Sequence, residues 1–481
     1  LFDLANKYPN ETIFWCDERV YKNFDINIVS SLLHHDKLML SYNPDINEYI
    51  NSRFGYVDHA SILRVNKTVS FFTWQLSSVV GGAKATLLNA VRDFVPNKNE
   101  SFDYLLQSLA IRAMPKGVFC YSEPKLLINQ IQLNQKSSSD FVLFRFVRQH
   151  KSFKWLFILF INILINERRI KLITFLYALF FKSRKGDYKG LDTVQVCSRK
   201  QVINNNEIDV IVPTIGRPEH VYNFLCDLRN QTHLPKKVVV VEQNPEPNSI
   251  SQLNFLTEED WPFVINHAFT HQSGACNARN IALSKVTSEW VFFADDDIRI
   301  GYNFLLEALG FIKNYSIDAG MFQCLKPNQK EHCFDPHQTT LFGTGCSIVN
   351  FNTCKNLKFN EVFEFCFGEY FDYVMQLRNN CTDVIHFPLP KINHLKAPIG
   401  GFRTKPILKW SNDLVLPKPS PTIVLNYLKY RTKEQFLAYK TIYFLKKWKN
   451  DKKVNPISFF NEASLHWDSS EKWAKKMLIN D

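Results

Sequence analysis

The stretch Trp290-Val291-Phe292-Phe293-Ala294-Asp295-Asp296-Asp297-Ile298-Arg299-Ile300 decides the fold. Its first four residues are apolar and predict a buried strand. Three consecutive carboxylates, Asp295, Asp296 and Asp297, follow at once. Like charges packed this closely repel unless a cation sits among them. Hard oxygen ligands of this kind suit Mg²⁺ or Mn²⁺, ions that also bind diphosphate oxygens. The plainer alternative is an acidic turn that caps the next helix.

The text before and after this stretch alternates strand with helix. Asp209–Val212 predicts a short strand ended by Pro213, and Val221, Phe224, Leu225 and Leu228 share one face of a helix that starts near Pro218. Lys237–Val241 predicts a second strand, ending at Glu242, and Phe263–Ala268 a third. Helices are expected at Cys276–Leu283 and Phe304–Ile312, either side of the acidic strand. Strands separated by helices build a parallel sheet, whose ligands bind at the carboxyl ends of the strands. Pro213, Thr214, Glu242 and Asp295–Asp297 all fall at such ends, which makes the acidic run a candidate site.

Further along, Leu341–Val349 carries two glycines that let backbone approach a ligand, or simply turn into a strand. Glu369 and Asp372 are three apart and share a helix face; either also serves as a helix-start acid that complements the dipole. His394 follows a Pro-rich strand end and is a candidate metal ligand or a structural histidine.

The whole chain, 481 residues, is long enough for two or three domains. A net charge of +12 favours anionic partners: membrane lipid or sugar nucleotides. No RNA-binding signature and no basic–aromatic groove pattern appears, so nucleic acid is not an expected partner. The 11 cysteines are scattered without Cys-x-x-Cys spacing, which points to reduced thiols in a cytosolic setting and away from a zinc site. No signal peptide and no initiator Met opens the chain, and its start, LFDLANKYPNE, suggests a fragment.

Two short matches suggest an internal repeat. Ile13–Val20, IFWCDERV, is similar to Val291–Ile298, VFFADDDI, and Phe102–Gln107, FDYLLQ, to Phe371–Gln376, FDYVMQ. The spacing is 86 residues from Asp17 to Asp103 and 77 from Asp295 to Asp372. In the first copy the acids have become Asp17-Glu18-Arg19, so Arg19 puts a cation where a metal would sit, and that copy is expected to be inactive. Between the copies, Phe141–Gly190 holds eleven Lys/Arg against Glu167 and Asp187. Its apolar runs, Leu156–Ile165 and Leu172–Phe181, are ten residues each, too short to span a bilayer, which takes about 20. They suit either an interfacial membrane contact or a helical pair packed on a neighbouring domain. The expected division is 1–135, a partial and degenerate domain; 136–205, a basic helical connector; 206–405, the catalytic domain; and 406–481, a helical extension that covers the sheet or touches membrane.

Residues 208–400 resemble the family 2 glycosyltransferases of the GT-A fold, a Rossmann-like α/β architecture. The carriers, in the family's order, are IDVIVPTIGRP (208–218), QTHLPKKVVVVEQN (231–244), GACNARNIAL (274–283), ADDDI (294–298), GTGCSIVNF (343–351), FGEYFDYVMQLR (367–378) and PLPKINH (388–394). The resemblance implies that Pro213, Thr214 and Arg217 line the nucleotide pocket and that Glu242 contacts base or ribose. It implies that Asn277 and Arg279 approach the diphosphate or sugar. Asp295 and Asp297 would form the DxD pair that binds ribose and metal, Asp296 would also bind the nucleotide sugar, and His394 would add a metal ligand for Mn²⁺ or Mg²⁺. The implied reaction is inverting transfer from a nucleoside-diphosphate sugar, UDP favoured, to a glycan or lipid-linked glycan at the inner face of a bacterial plasma membrane. The family's usual Gly-Glu-Asp, whose Asp is commonly the base, stands here as Gly368-Glu369-Tyr370. Tyrosine titrates near pH 10 and is a poor base, so Glu369 is the expected base, with Asp372 next. A sugar nucleotidyltransferase and a non-catalytic binding scaffold are the competing readings.

Overall fold

The computed structural model describes residues 1–45, 48–92, 100–129, 131–133, 137–184, 189–397, 406–450 and 455–479. The chain forms two compact units, Leu1–Val196 with Asn412–Asp481, and Cys197–Ser411. The expected boundaries at 135–136 and at 405 lie outside the described residues.

The first unit opens with α1 (Phe2–Lys7), β1 (Thr12–Cys16), α2 (Ile26–Leu32), β2 (Leu38–Tyr42), β3 (Phe71–Phe72) and β4 (Val80–Lys84). It continues through α3 (Ala85–Ala90), α4 (Phe102–Ala113), β5 (Phe119–Ser122), α5 (Asp140–His150), α6 (Phe153–Glu167) and α7 (Leu172–Leu179). The strands form one sheet in the order β1-β4-β2-β5-β3. Gly81 and Gly82 are required in its middle, because a Cβ on Gly81 would lie 2.3 Å from the Trp15 ring. Helices α4, α5 and α6 bury Tyr104, Phe144, Phe146, Leu156 and Leu159 in one core with Met39 and Ala83 of the sheet.

In the second unit come β6 (Ile208–Ile215), α8 (Pro218–Arg229), β7 (Lys237–Gln243), α9 (Phe255–Glu258), β8 (Val264–Thr270), α10 (Ala275–Leu283) and β9 (Trp290–Ala294). There follow β10 (Ile298–Ile300), α11 (Phe304–Tyr315), β11 (Ala319–Leu325), β12 (His337–Gln338), β13 (Cys346–Asn350), α12 (Phe351–Cys354), α13 (Glu369–Asn379) and β14 (Ile385–His394). The sheet runs β10-β14-β11-β13-β9-β6-β7-β8, with β12 on β14. Its β9-β6-β7-β8 half is parallel, as the alternation of strand and helix requires. The predicted face of α8 is fully buried: Val221, Phe224, Leu225 and Leu228 each have no exposed surface. Strand β6 does not end at Pro213 but runs on to Ile215. Beyond Ile211 it pairs only with β7, and a one-sided ladder tolerates the missing Pro213 N–H.

The C-terminal helices α14 (Pro421–Tyr430), α15 (Lys433–Asn450) and α16 (Pro456–Ile479) belong to the first unit. Gln435, fully buried, donates from Nε2 to the carbonyls of Asp58 (2.9 Å) and Ala60 (2.6 Å). Among the described residues no helix is long and apolar enough to cross a membrane.

Candidate functional site

The parallel half of the second sheet aims its carboxyl ends at one cavity of about 530 Å³, within the range of small-molecule sites. Its wall takes Pro213, Thr214 and Arg217 from the end of β6, Gln243 from β7, Ser273–Cys276 and Arg279 from the start of α10, and Asp295–Asp297 from the end of β9. Glu364, Glu369, His394 and Lys396 close it from the other side.

Each acid of the run has a different environment. Asp296 is buried and accepts from Thr214 Oγ1 at 2.7 Å and Arg217 Nη1 at 2.7 Å. Burial raises its carboxyl above the ordinary range, against the opposing pull of Thr214 and Arg217. Asp295 is half-buried and meets Arg279 Nη2 at 3.3 Å. Asp297 is buried; its Oδ2 accepts from Ala397 N at 3.0 Å, and its Oδ1 lies 3.8 Å from His394 Nε2. Strand pairing produces that last approach: Ile298 of β10 stands opposite His394 of β14, one residue along from Asp297.

Asp295, Asp297 and His394 offer ligand atoms that all lie within 4.8 Å of one another. Two carboxylates and an imidazole suit a divalent ion that accepts mixed oxygen and nitrogen ligands. The charge balance points the same way. The lining holds five carboxylates, Asp295–Asp297, Glu364 and Glu369, against the fixed cations Arg217, Arg279 and Lys396, which leaves two negative charges over. The His394 Nδ1 accepts from Lys396 N at 2.9 Å, so Nε2 carries the proton in the neutral ring and ligation through it requires the other tautomer.

Of the two glycines of Leu341–Val349, Gly345 lies in the turn that leads into β13. Cys346 pairs with Ala294, which sets Gly345 against the acid run; a Cβ there would lie 2.1 Å from Asp295 Oδ2. The close approach seen there is of backbone to the acid.

Of the residues singled out from sequence, the cavity gathers Pro213, Thr214, Arg217, Arg279, Asp295, Asp296, Asp297, Glu369 and His394. Glu242, Asn277 and Asp372 stand outside its lining. Glu242 is buried and accepts from Ser251 Oγ (2.5 Å), Gln252 N (2.9 Å) and His267 Nε2 (3.1 Å). Burial pushes its carboxyl up, but these donors outweigh burial and hold it below the ordinary range. Asn277 donates its backbone N–H to Glu364 at 2.9 Å and its Nδ2 to the Gln272 carbonyl at 3.2 Å. Asp372 is fully buried and accepts from Gln376 Nε2 at 2.7 Å. Tyr370, at the family's usual base position, is 41% exposed.

Glu364 had no signal in the sequence. Its carboxylate accepts from Cys276 N (3.1 Å) and Asn277 N (2.9 Å), where α10 leaves backbone donors unsatisfied. Gly274, at φ +144°, makes room for it: a Cβ there would lie 2.4 Å from the carboxyl group. Burial raises Glu364 above the ordinary carboxylate range, against the backbone donors. Arg279 Nε is buried and has no hydrogen-bond partner among the described residues, a polar atom left for a ligand.

Residues 209–371 match Glycosyl transferase family 2. The chain is similar to S. aureus TarS 1-349 in complex with UDP-GlcNAc, at 18% identity over 55% of this chain and 79% of that one, TM-score 0.40. It is similar to GalNAc-T7 with UDP, GalNAc and Mn²⁺ at 10% identity, over 39% of this chain and 44% of that one, TM-score 0.32. It spans 37% of another TarS structure, at 20% identity over 40% of this chain and TM-score 0.33, and 61% of the TarS 1-349 complex with UDP. No curated protein matches the chain. The stretch Asp209–Phe371, on the mixed α/β sheet described above, thus carries the match to Glycosyl transferase family 2.

Proposed function

We propose that residues 206–405 form an inverting, metal-dependent glycosyltransferase domain. It moves a hexosyl group from a nucleoside-diphosphate sugar to a glycan or lipid-linked glycan, in cell-surface polysaccharide synthesis at the cytoplasmic face of the membrane. UDP is the nucleotide to test first. The observation that carries the reading is the joining of Thr214, Arg217, the 295–297 acids, His394 and Glu369 around one cavity at the carboxyl edge of a parallel sheet.

Thr214 and Arg217 fix Asp296, and so set the angle at which Asp295 and Asp297 face the cavity. Mn²⁺ or Mg²⁺ held by Asp295, Asp297 and His394 would supply charge neutralisation at a departing diphosphate. Arg279 and Lys396 add fixed positive charge on the same wall. Glu369, half-buried at the first position of α13, is the base in this reading: its carboxylate takes the proton of the acceptor hydroxyl as that oxygen attacks the anomeric carbon. Direct displacement inverts that carbon and needs no covalent sugar–enzyme intermediate.

The test is donor turnover with Mn²⁺ and trial glycan acceptors, comparing the natural chain with Asp297→Ala and Glu369→Gln. Release of nucleoside diphosphate that both variants lose supports the proposal. Release of pyrophosphate would mark a nucleotidyltransferase instead. The exposed Tyr370 favours one further reading, a scaffold that holds donor without transferring it, and donor binding with no turnover across acceptors would establish that.

A further inference from the structure

Helix α7 is built inside out. It buries Thr174 and Ala178 and turns its large apolar side chains outward: Ile173 is 75% exposed and Leu172 and Leu176 about half, while Phe180, just past its end, is 87% exposed. The hydrophobic effect would bury these residues first, unless a further surface covers them. Helix α6 extends the same surface. Its exposed Phe157 packs at a tilt against Phe175 of α7 with ring centroids 5.0 Å apart, and Phe153, Leu164 and Ile165 are exposed beside it.

The charges around this surface have one sign. Arg168 and Arg169, in the turn between the two helices, are exposed, as are Lys154 and Lys182. The acids of the described segment 140–184 are Asp140 and Glu167, and both are engaged internally. Arg53 reaches Asp140 at 2.8 Å and Glu167 at 2.7 Å, and Lys171 reaches Asp140 at 2.6 Å. A face with large apolar residues, a cationic rim and no free acid among the described residues of 140–184 complements an anionic bilayer. Against a second copy of itself the same rim would meet like charges. Helix α6, at 15 residues, is about 22 Å long and cannot cross the hydrocarbon core, so it would lie in the plane of the interface.

We infer that the outward face of α6 and α7 is a docking surface for an anionic lipid bilayer, with Ile173 and Phe180 entering the acyl boundary and Arg168 and Arg169 meeting lipid phosphates. The surface belongs to the first unit, and its test reads membrane binding, not transfer, so its failure is distinct from failure of the transferase reading.

The experiment is flotation of the full chain with phosphatidylcholine vesicles, with and without phosphatidylglycerol. The expected result is binding to the anionic vesicles that weakens with salt and is much reduced on phosphatidylcholine alone. Ile173→Ser with Phe180→Ser should abolish binding, and Arg168→Ser with Arg169→Ser should weaken it by roughly tenfold or more. All four side chains are exposed, so the variants should melt where the natural chain does. Equal flotation of the natural chain and both double variants would overturn the inference. So would failure to bind anionic vesicles alongside a concentration-dependent dimer in sedimentation that Ile173→Ser with Phe180→Ser dissociates, since a second copy would then be the occupant.

Discussion

The sheets of the two units share one construction and diverge just after the acidic strand. In the first, β1-β4-β2-β5 pair antiparallel, antiparallel and parallel; in the second, β9-β13-β11-β14 pair in the same order and the same senses. The repeat suggested by two short sequence matches is therefore also a repeat of topology. After β1, however, the chain turns into a 3-10 helix, Glu18–Asn23, and Asp17 becomes its cap, accepting from Arg19 N. The Arg19 guanidinium then closes on the same carboxylate, Nε to Oδ1 at 2.9 Å and Nη2 to Oδ2 at 2.7 Å. After β9 the chain enters β10 instead, which pairs with the far end of β14 and brings His394 beside Asp297. Strand β5 has four residues where β14 has ten, so the first unit has no such extension. A shared sheet does not confer a shared site: one acid is consumed by its own side-chain cation, while the other run keeps ligand atoms facing a cavity.

That contrast can be broken at several points. The largest effect is expected from Asp297→Ala, which removes one of the three grouped ligands. Transfer should fall on the order of 10³-fold, as several kcal/mol of charge neutralisation are lost, in a steady-state assay with saturating Mn²⁺. Gly345→Ala comes next. Its Cβ would displace the Asp295 carboxylate, and Mn²⁺ affinity by calorimetry should drop roughly 10- to 100-fold, with the fold intact by circular dichroism.

Glu364→Gln sharpens the picture from the other direction. An acid raised by burial favours the folded state in its protonated form, so it costs stability progressively as pH rises through its folded value. The amide keeps an acceptor for the α10 donors without the charge. One α10 donor loses its acceptor to the amide NH2, so the test is the pH trend: the variant's melting point relative to the natural chain should rise by about 2 °C from acid, below the ordinary carboxylate range, to neutral pH. A gain that instead grows on acidification would contradict the assignment. The smallest effect is expected from Arg19→Asp, which restores a third acid to the first copy. Lacking a histidine counterpart, that copy should still bind no Mn²⁺, and the stoichiometry of the whole chain should remain at one ion. Because the side chain of Arg19 is half exposed, melting should barely move.

Much of the second unit was legible before its structure. The period of Val221, Phe224, Leu225 and Leu228 and the apolar run ahead of Asp295 are local signals, and local signals survive folding. Residues at strand ends were equally legible where the strand itself points them, as for Thr214 and Asp295–Asp297. Glu242 shows the limit. It also ends a strand, but its partner His267 lies on the neighbouring β8 and Ser251 on the loop between them, so its carboxylate is spent before it reaches the cavity. Glu364 shows the converse. It sits in EVFEFC (361–366), ahead of the motif that starts at Phe367, and acquires its role only because the chain folds back to α10, 88 residues earlier. The affiliation of α14–α16 was hidden for the same reason, since Gln435 finds its partners some 375 residues away.

The central claim is that the acids after β9 and His394 hold a divalent ion that in turn holds a nucleoside diphosphate. A thermal melt of the full chain with UDP, with and without Mn²⁺, tests it directly, because a ligand that binds only the folded state raises the melting point by mass action. The account predicts a rise with UDP and Mn²⁺ together that exceeds either alone and disappears in Asp297→Ala. An equal rise in that variant, or no rise with UDP, GDP or dTDP in the presence of Mn²⁺, would contradict it.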